Sequence, residues 1–188
     1  MTTRGGPSAF SDLTLDELLD AVAARTPAPG GGSTAAYATA LAAALVEMAA
    51  RFTEGQLATK HRADELRVRA LELAEIELDA YAPVLEAMRL PRNDPERASR
   101  VDAARTEASQ SPLEVAEIAA EVAELAADLA STGNPNLAGD AITGALLAEG
   151  AAQAAANLVA INLVDGPMVD RVAGFSRRAQ LARERALA

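Results

Sequence analysis

The chain has 188 residues, half of them hydrophobic, and a formal net charge of −10. The length suits one domain, and the acidic balance argues against a broad nucleic-acid-binding face. Without cysteine, and with His61 as the single histidine, the chain has no disulfide, thiolate metal site, cysteine nucleophile or two-histidine chemistry of its own.

Alanine fills 47 positions and aromatic residues only 3%. Many alanines and few aromatic or β-branched residues favour close-packed helices over a sheet core. Residues 1–12 read as a flexible lead-in with no apolar core for a signal peptide. Thr14 and Glu17 then form a capping box, and Leu15, Leu18, Leu19 and Val22 make one apolar stripe. That helix stops before Pro27 and Pro29. Thr26-Pro-Ala-Pro-Gly-Gly-Gly-Ser33 follows, stiff in front and free behind, with Ser33 or Thr34 placed to cap the next helix. Residues 35–50 carry one charge, Glu47, and predict a helix surrounded by protein.

Residues 57–90 continue a helical pattern, broken or kinked at Pro83. Asp94 and Pro95 suit the start of a short polar helix. Ser111-Pro-Leu-Glu114 reads as a second capping box, opening a stripe of Val115, Ile118, Val122, Leu125 and Leu129. Gly133-Asn-Pro-Asn136 separates that helix from one over 136–163, and a last element starts near Pro167. The weakly charged stretch 141–164 contains Glu149, Gln153, Asn157 and Asn162, which argues against a membrane span. The expectation is an all-α, bundle-like array of about six or seven helices, one domain over 13–188, cytoplasmic, with no membrane or nucleic-acid partner. Alanine-lined helices leave little side-chain volume for a self-sufficient core, so a homodimer is expected.

Candidate chemistry begins at Gly30, Gly31, Gly32 and Ser33. Glycines before a helix let backbone N–H groups approach a ligand; the plain alternative is a tight turn needing left-handed backbone angles. Among carboxylates in apolar settings stand Glu47, Asp79, Asp140 and Glu149. Three of them have a plain account: for Glu47, pairing with Arg51; for Asp79, a solvated position; for Asp140, a helix's first turn. Asn157 is either a ligand contact or a bridge between helices.

The order of these segments resembles the cyclodeaminase/cyclohydrolase family. It runs from Leu15-Asp-Glu-Leu18 through the Pro-Ala-Pro-Gly-Gly-Gly-Ser turn, Leu90-Pro91 and Ser111-Pro-Leu-Glu-Val-Ala116 to Gly133-Asn-Pro-Asn136 with Asp140, then Asn157 and Ile161-Asn-Leu163. The resemblance implies an all-helical dimer acting on one-carbon tetrahydrofolates, with a tetrahydrofolate derivative as substrate, no tightly bound cofactor and no metal. It places the glycine turn and Ser33 in the folate pocket and Asp140, Asn134 and Asn157 on its polar side. Asp140 is then the first candidate for proton transfer and Asp79 the second. The chain departs from the pattern after the second helix, reading Gly55-Gln-Leu-Ala58 with Lys60 only later, where a Gly-Lys-rich stretch is expected. That departure supports the alternative of a non-catalytic helical binding or assembly protein on the same scaffold.

Overall fold

The computed structural model describes residues 13–188; the lead-in expected over 1–12 lies outside them. The described residues form eight α-helices and no strand. They are α1 (Leu15–Ala23), α2 (Gly31–Arg51), α3 (Leu57–Ala80), α4 (Ala82–Arg89), α5 (Arg97–Ala108), α6 (Gln110–Thr132), α7 (Ala138–Asn162) and α8 (Pro167–Ala186). A 3-10 turn, Pro135–Leu137, leads into α7. The count exceeds the six or seven expected. Pro83 divides the long pattern into α3 and α4, and it sits in the first turn of α4, where its missing N–H has no helical partner to lose.

Two helix starts differ from their sequence signals. Gly30, not Ser33, is the N-cap of α2. The Thr34 hydroxyl donates back to the Gly30 carbonyl at 2.8 Å, and Ser33 is buried inside the first turn. Ser109 likewise holds both the end of α5 and the start of α6. Ser111 thus falls inside α6, and the expected capping box does not form. In both places the backbone turns two or three residues early, which converts a capping hydroxyl into an interior one.

The core is made of alanine. One cluster of buried residues joins α2, α3, α6, α7 and α8, and its largest fully buried side chains are leucine and valine. Helices α2 and α7 run antiparallel, with Gly31 against Leu158 at one end and Gly144 against the Ala42 carbonyl at the other. An added methyl at Gly144 would lie 3.4 Å from that oxygen. Both helices are long and apolar enough to cross a membrane by length and composition. Here α2 packs on α3, α6 and α7, and α7 on α2, α6 and α8.

Helix α6 lies between two neighbours that clasp its carboxylates. Arg62 and Arg69 of α3 make two-pronged bonds to Glu121 and Glu114, with Nε distances of 2.6 Å. From the other side, Arg171, Arg178 and Arg185 of α8 reach Glu117, Glu124 and Asp128. Because these pairs are half-exposed, each contributes about 0.2–1 kcal/mol, and they fix register more than stability. Helix α1 is different: its Thr14–Glu17 capping box forms as expected, yet the helix buries no residue.

Replacing Ala123, fully buried in α6, with leucine should cost about 1–3 kcal/mol by overpacking. Urea unfolding would measure the loss, and an unchanged midpoint would show that the helices have slack.

Candidate active site

The α2 start, the end of α3, α4 and one residue of α7 enclose a cavity of about 300 Å³. Its walls include Pro27, Gly30, Gly31, Gly32 and Ser33 on one side and Glu77, Leu78, Tyr81, Leu85 and Leu158 on the other. The four residues of the glycine turn are thus brought together at a cavity. The reason for glycine is not left-handed backbone. Among the described residues only Gly55 and Gly166 have positive φ. The reason is close approach: a methyl group at Gly32 would overlap the Glu77 carboxylate at Oε2.

Glu77 is the carboxylate that the sequence reading missed. Burial pushes its pKa above the usual value of 4.5. Ser111 pulls the other way, close enough to act on it but not aligned as a hydrogen-bond partner. Glu77 Oε1 and the Ser33, Ser111 and Tyr37 hydroxyl oxygens are all buried without a hydrogen-bond partner. Such groups are rare in folded proteins, and here three of the four belong to Glu77, to the glycine turn or to the serine acting on Glu77. The first-turn amides of α2 add donors with no partner further down the helix. The site therefore combines acceptor-seeking N–H groups with a half-buried carboxyl group shifted toward its neutral form. That is equipment for gripping a polar heterocycle and passing a proton.

Of the other residues expected at this site, none lines the cavity. Asp79 is exposed, because two residues along a helix turn a side chain by about 200° from Glu77. Asp140 is half-buried in the first turn of α7. With Leu158 opposite Gly31, the antiparallel pairing puts Asp140 roughly 27 Å along the axis from the glycine turn of its own chain. Within one chain, therefore, Asp140 does not line the glycine-turn cavity. Asn134 has a structural task. Its Oδ1 accepts from the Asn136 amide at 3.0 Å, and its Nδ2 donates to the Phe52 carbonyl at 3.1 Å, tying the 3-10 turn to the end of α2. Asn157 is exposed in a separate groove between α7 and α8, beside Gln153 and Arg177. Glu47 is buried and takes both Arg51 and Arg67.

An all-helical domain with a glycine-started buried helix against a half-buried carboxyl group is the class that the fold and cavity define. A family model described as formiminotransferase-cyclodeaminase matches residues 14–171, and the chain belongs to that family. Formimidoyltransferase-cyclodeaminase of Mus musculus is 31% identical over 175 residues, covering 86% of this chain and 32% of the relative. This chain therefore spans about a third of that relative's length. Methenyltetrahydrofolate cyclohydrolase of Methylorubrum extorquens is 31% identical over 163 residues, covering 79% of this chain and 78% of the relative. Among solved structures, formiminotetrahydrofolate cyclodeaminase of Thermotoga maritima superposes with a TM-score of 0.84 at 26% identity, covering 94% of both chains.

The folded state favours the protonated form of Glu77, so its contribution to stability is fully present below the unfolded value of 4.5 and is lost as pH rises through the higher folded value. Glu77→Gln should thus melt above the unmodified protein near pH 8, with the gain vanishing near pH 4. Thermal melts across that range check it; a constant offset would mean that Glu77 titrates normally.

Proposed function

We propose that this protein is an enzyme of one-carbon tetrahydrofolate chemistry, and that Glu77 is its proton-transfer group. The observation that carries the reading is the half-buried Glu77 carboxyl, its pKa raised by desolvation, set close against Gly32 at the cavity, in a chain 31% identical to a methenyltetrahydrofolate cyclohydrolase over most of both lengths. The folate derivative is the substrate, and neither a bound cofactor nor a metal enters the scheme. First-turn N–H groups at Gly31, Gly32 and Ser33 would receive ring acceptors of the substrate.

For ring opening, water adds to the cationic methenyl carbon and forms the C–O bond, while one of its protons passes to the Glu77 carboxylate. The bond to the ring nitrogen then breaks with its electron pair on nitrogen, which takes the proton from Glu77. The hydroxyl proton leaves to solvent as the formyl carbonyl forms. For the ring-closing reaction, the second nitrogen adds to the formimino carbon, with Glu77 relaying its proton to the nitrogen that becomes the amine. Glu77 protonates that amine, ammonia departs with the C–N electron pair, and the ionised carboxylate is left beside the methenyl cation. A carboxylate facing a cation stabilises that charge in both directions.

Turnover is tested by following methenyltetrahydrofolate spectrophotometrically, corrected for spontaneous hydrolysis. Glu77→Gln should lower kcat by about 10²–10⁴-fold, the usual worth of general acid–base catalysis, while ligand-dependent melting persists. Asp79→Asn and Asp140→Asn should stay close to the unmodified rate. Loss of turnover in Asp140→Asn with Glu77→Gln active would return the role to Asp140. Binding without turnover in the unmodified protein would favour the non-catalytic reading, which draws on the lack of a basic side chain among the cavity-lining residues.

The same reading includes a homodimer. Leu15, Leu19, Leu41, Leu146 and Leu147 are exposed, and a nine-residue helix such as α1 is marginal in water without packing. An apolar groove between α2 and α7, bordered by Val22, Thr34, Ala38, Leu146 and Leu147, is open to receive a second copy. Light scattering at micromolar concentration should give twice the chain mass, and Leu41→Asp with Leu146→Asp should give a folded monomer. A monomeric unmodified protein would remove this part of the proposal.

A further inference from the structure

Helices α4 and α5 form a body apart from the rest of the bundle. The buried residues of this pair are Val84 and Ala87 in α4 and Ala108 at the end of α5. None of the three belongs to the alanine core shared by α2, α3, α6, α7 and α8, and no partly buried residue packed against that core comes from 81–108. Helix α4 packs mainly on α5, and α5 meets α6 and α7. Polar bonds in the pair also turn inward. Arg97 of α5 donates from Nε to the Leu90 carbonyl at 3.1 Å and from Nη2 to the Met88 carbonyl at 3.3 Å, pinning the turn between the two helices. Arg100 pairs with Glu96 at 2.8 Å, again inside the segment.

Both ends of this body are single-residue junctions. Tyr81 closes α3 and opens α4, and Ser109 closes α5 and opens α6. Neither junction has a side-chain cap on the helix it opens. Small backbone changes at two such residues can swing the pair as one piece. A body with few buried apolar side chains and no share in the core stands at the low-stability end of a fold.

The same body forms one wall of the glycine-turn cavity. Tyr81, Ala82 and Leu85 come from it, whereas Gly32, Glu77 and Leu158 come from helices of the core. Tyr81 is the one aromatic residue lining the cavity, and its side chain is 43% exposed. An exposed aromatic ring offers a face on which a planar heterocycle can stack.

We propose that the α4–α5 pair is a lid, hinged at Tyr81 and Ser109, which lifts to admit a planar heterocyclic substrate and lays Tyr81 and Leu85 over it. The substrate is the folate derivative of the reading above, on which that part of the inference rests. The hinged body itself rests on the packing. Lids of this kind complete a site once the substrate is in place.

Hydrogen exchange on the full chain, without and with 5-formyltetrahydrofolate as the probe, tests the lid. In the free protein, amides of 84–106 should exchange at least about tenfold faster than those of α3 and α6, and the probe should slow them about tenfold. Arg97→Ala, away from the cavity walls, should speed that exchange further. It should also raise KM for methenyltetrahydrofolate about threefold or more, with kcat within about twofold, because a lid ordered less often in the free protein lowers the apparent affinity by that fraction. Exchange in 84–106 as slow as in α6 overturns the hinged body. Protection at the glycine turn with none in 84–106 overturns the lid and leaves the folate reading standing. So does an unchanged KM in Arg97→Ala once its exchange has risen. No protection anywhere, with no turnover by the unmodified protein, overturns the folate reading and the lid together.

Discussion

Helices α2, α6 and α7 meet through alanine, and most of the structure follows from how close that lets them come. An alanine contributes little apolar area, so each contact is individually small. Many are made at once, because backbones approach until a carbonyl such as that of Ala42 stands just off Gly144. Interiors packed at crystal-like density have few ways to absorb an extra methyl group. The buried helices therefore behave as rigid struts, and the residues at their ends are held in place.

Rigid struts still need a register, since alanine surfaces are nearly featureless and slide easily. The arginine ladders provide it. Glu114 and Glu121 face Arg69 and Arg62 of an antiparallel helix, and Glu117, Glu124 and Asp128 face Arg171, Arg178 and Arg185 of a parallel one. Each fork matches a carboxylate only in one alignment. Five of the 17 lysines and arginines are committed in this way. That leaves an acidic protein whose candidate site has backbone N–H groups, rather than lysine or arginine, as its positive element.

At the start of α2 the packing logic reverses. Glycine replaces alanine, and the space that a methyl group would take at Gly32 is occupied by the Glu77 carboxylate. A buried carboxyl group costs stability when ionised. Glu77 is half-buried and keeps its Oε1 without a hydrogen-bond partner at this point of the fold. The raised pKa of Glu77 and the local cost in stability are one physical fact seen from two sides.

Composition and spacing alone determined the all-helical fold, the positions of most helices and the prominence of the glycine turn. Alanine content, capping at Thr14 and the breaks at Pro83 and Gly133 act locally, so they are legible in one dimension. The partner of the glycines was not legible. Glu77 and Asp79 sit in the same acidic stretch, and only the rotation of α3 against α2 decides that Glu77 is half-buried while Asp79 meets water. Asp140 looked suited to proton transfer because it opens an apolar helix, yet the antiparallel pairing of α2 and α7 carries it to the other end of the bundle. Asn134 was drawn into the site by its motif and is spent on fastening a turn. The seven-residue recurrence of Arg62 and Arg69, and of Arg171, Arg178 and Arg185, was the one long-range signal present in the letters. Its meaning required knowing that α6 lies between those helices, because a charge pattern names its partner only once the helices are set side by side.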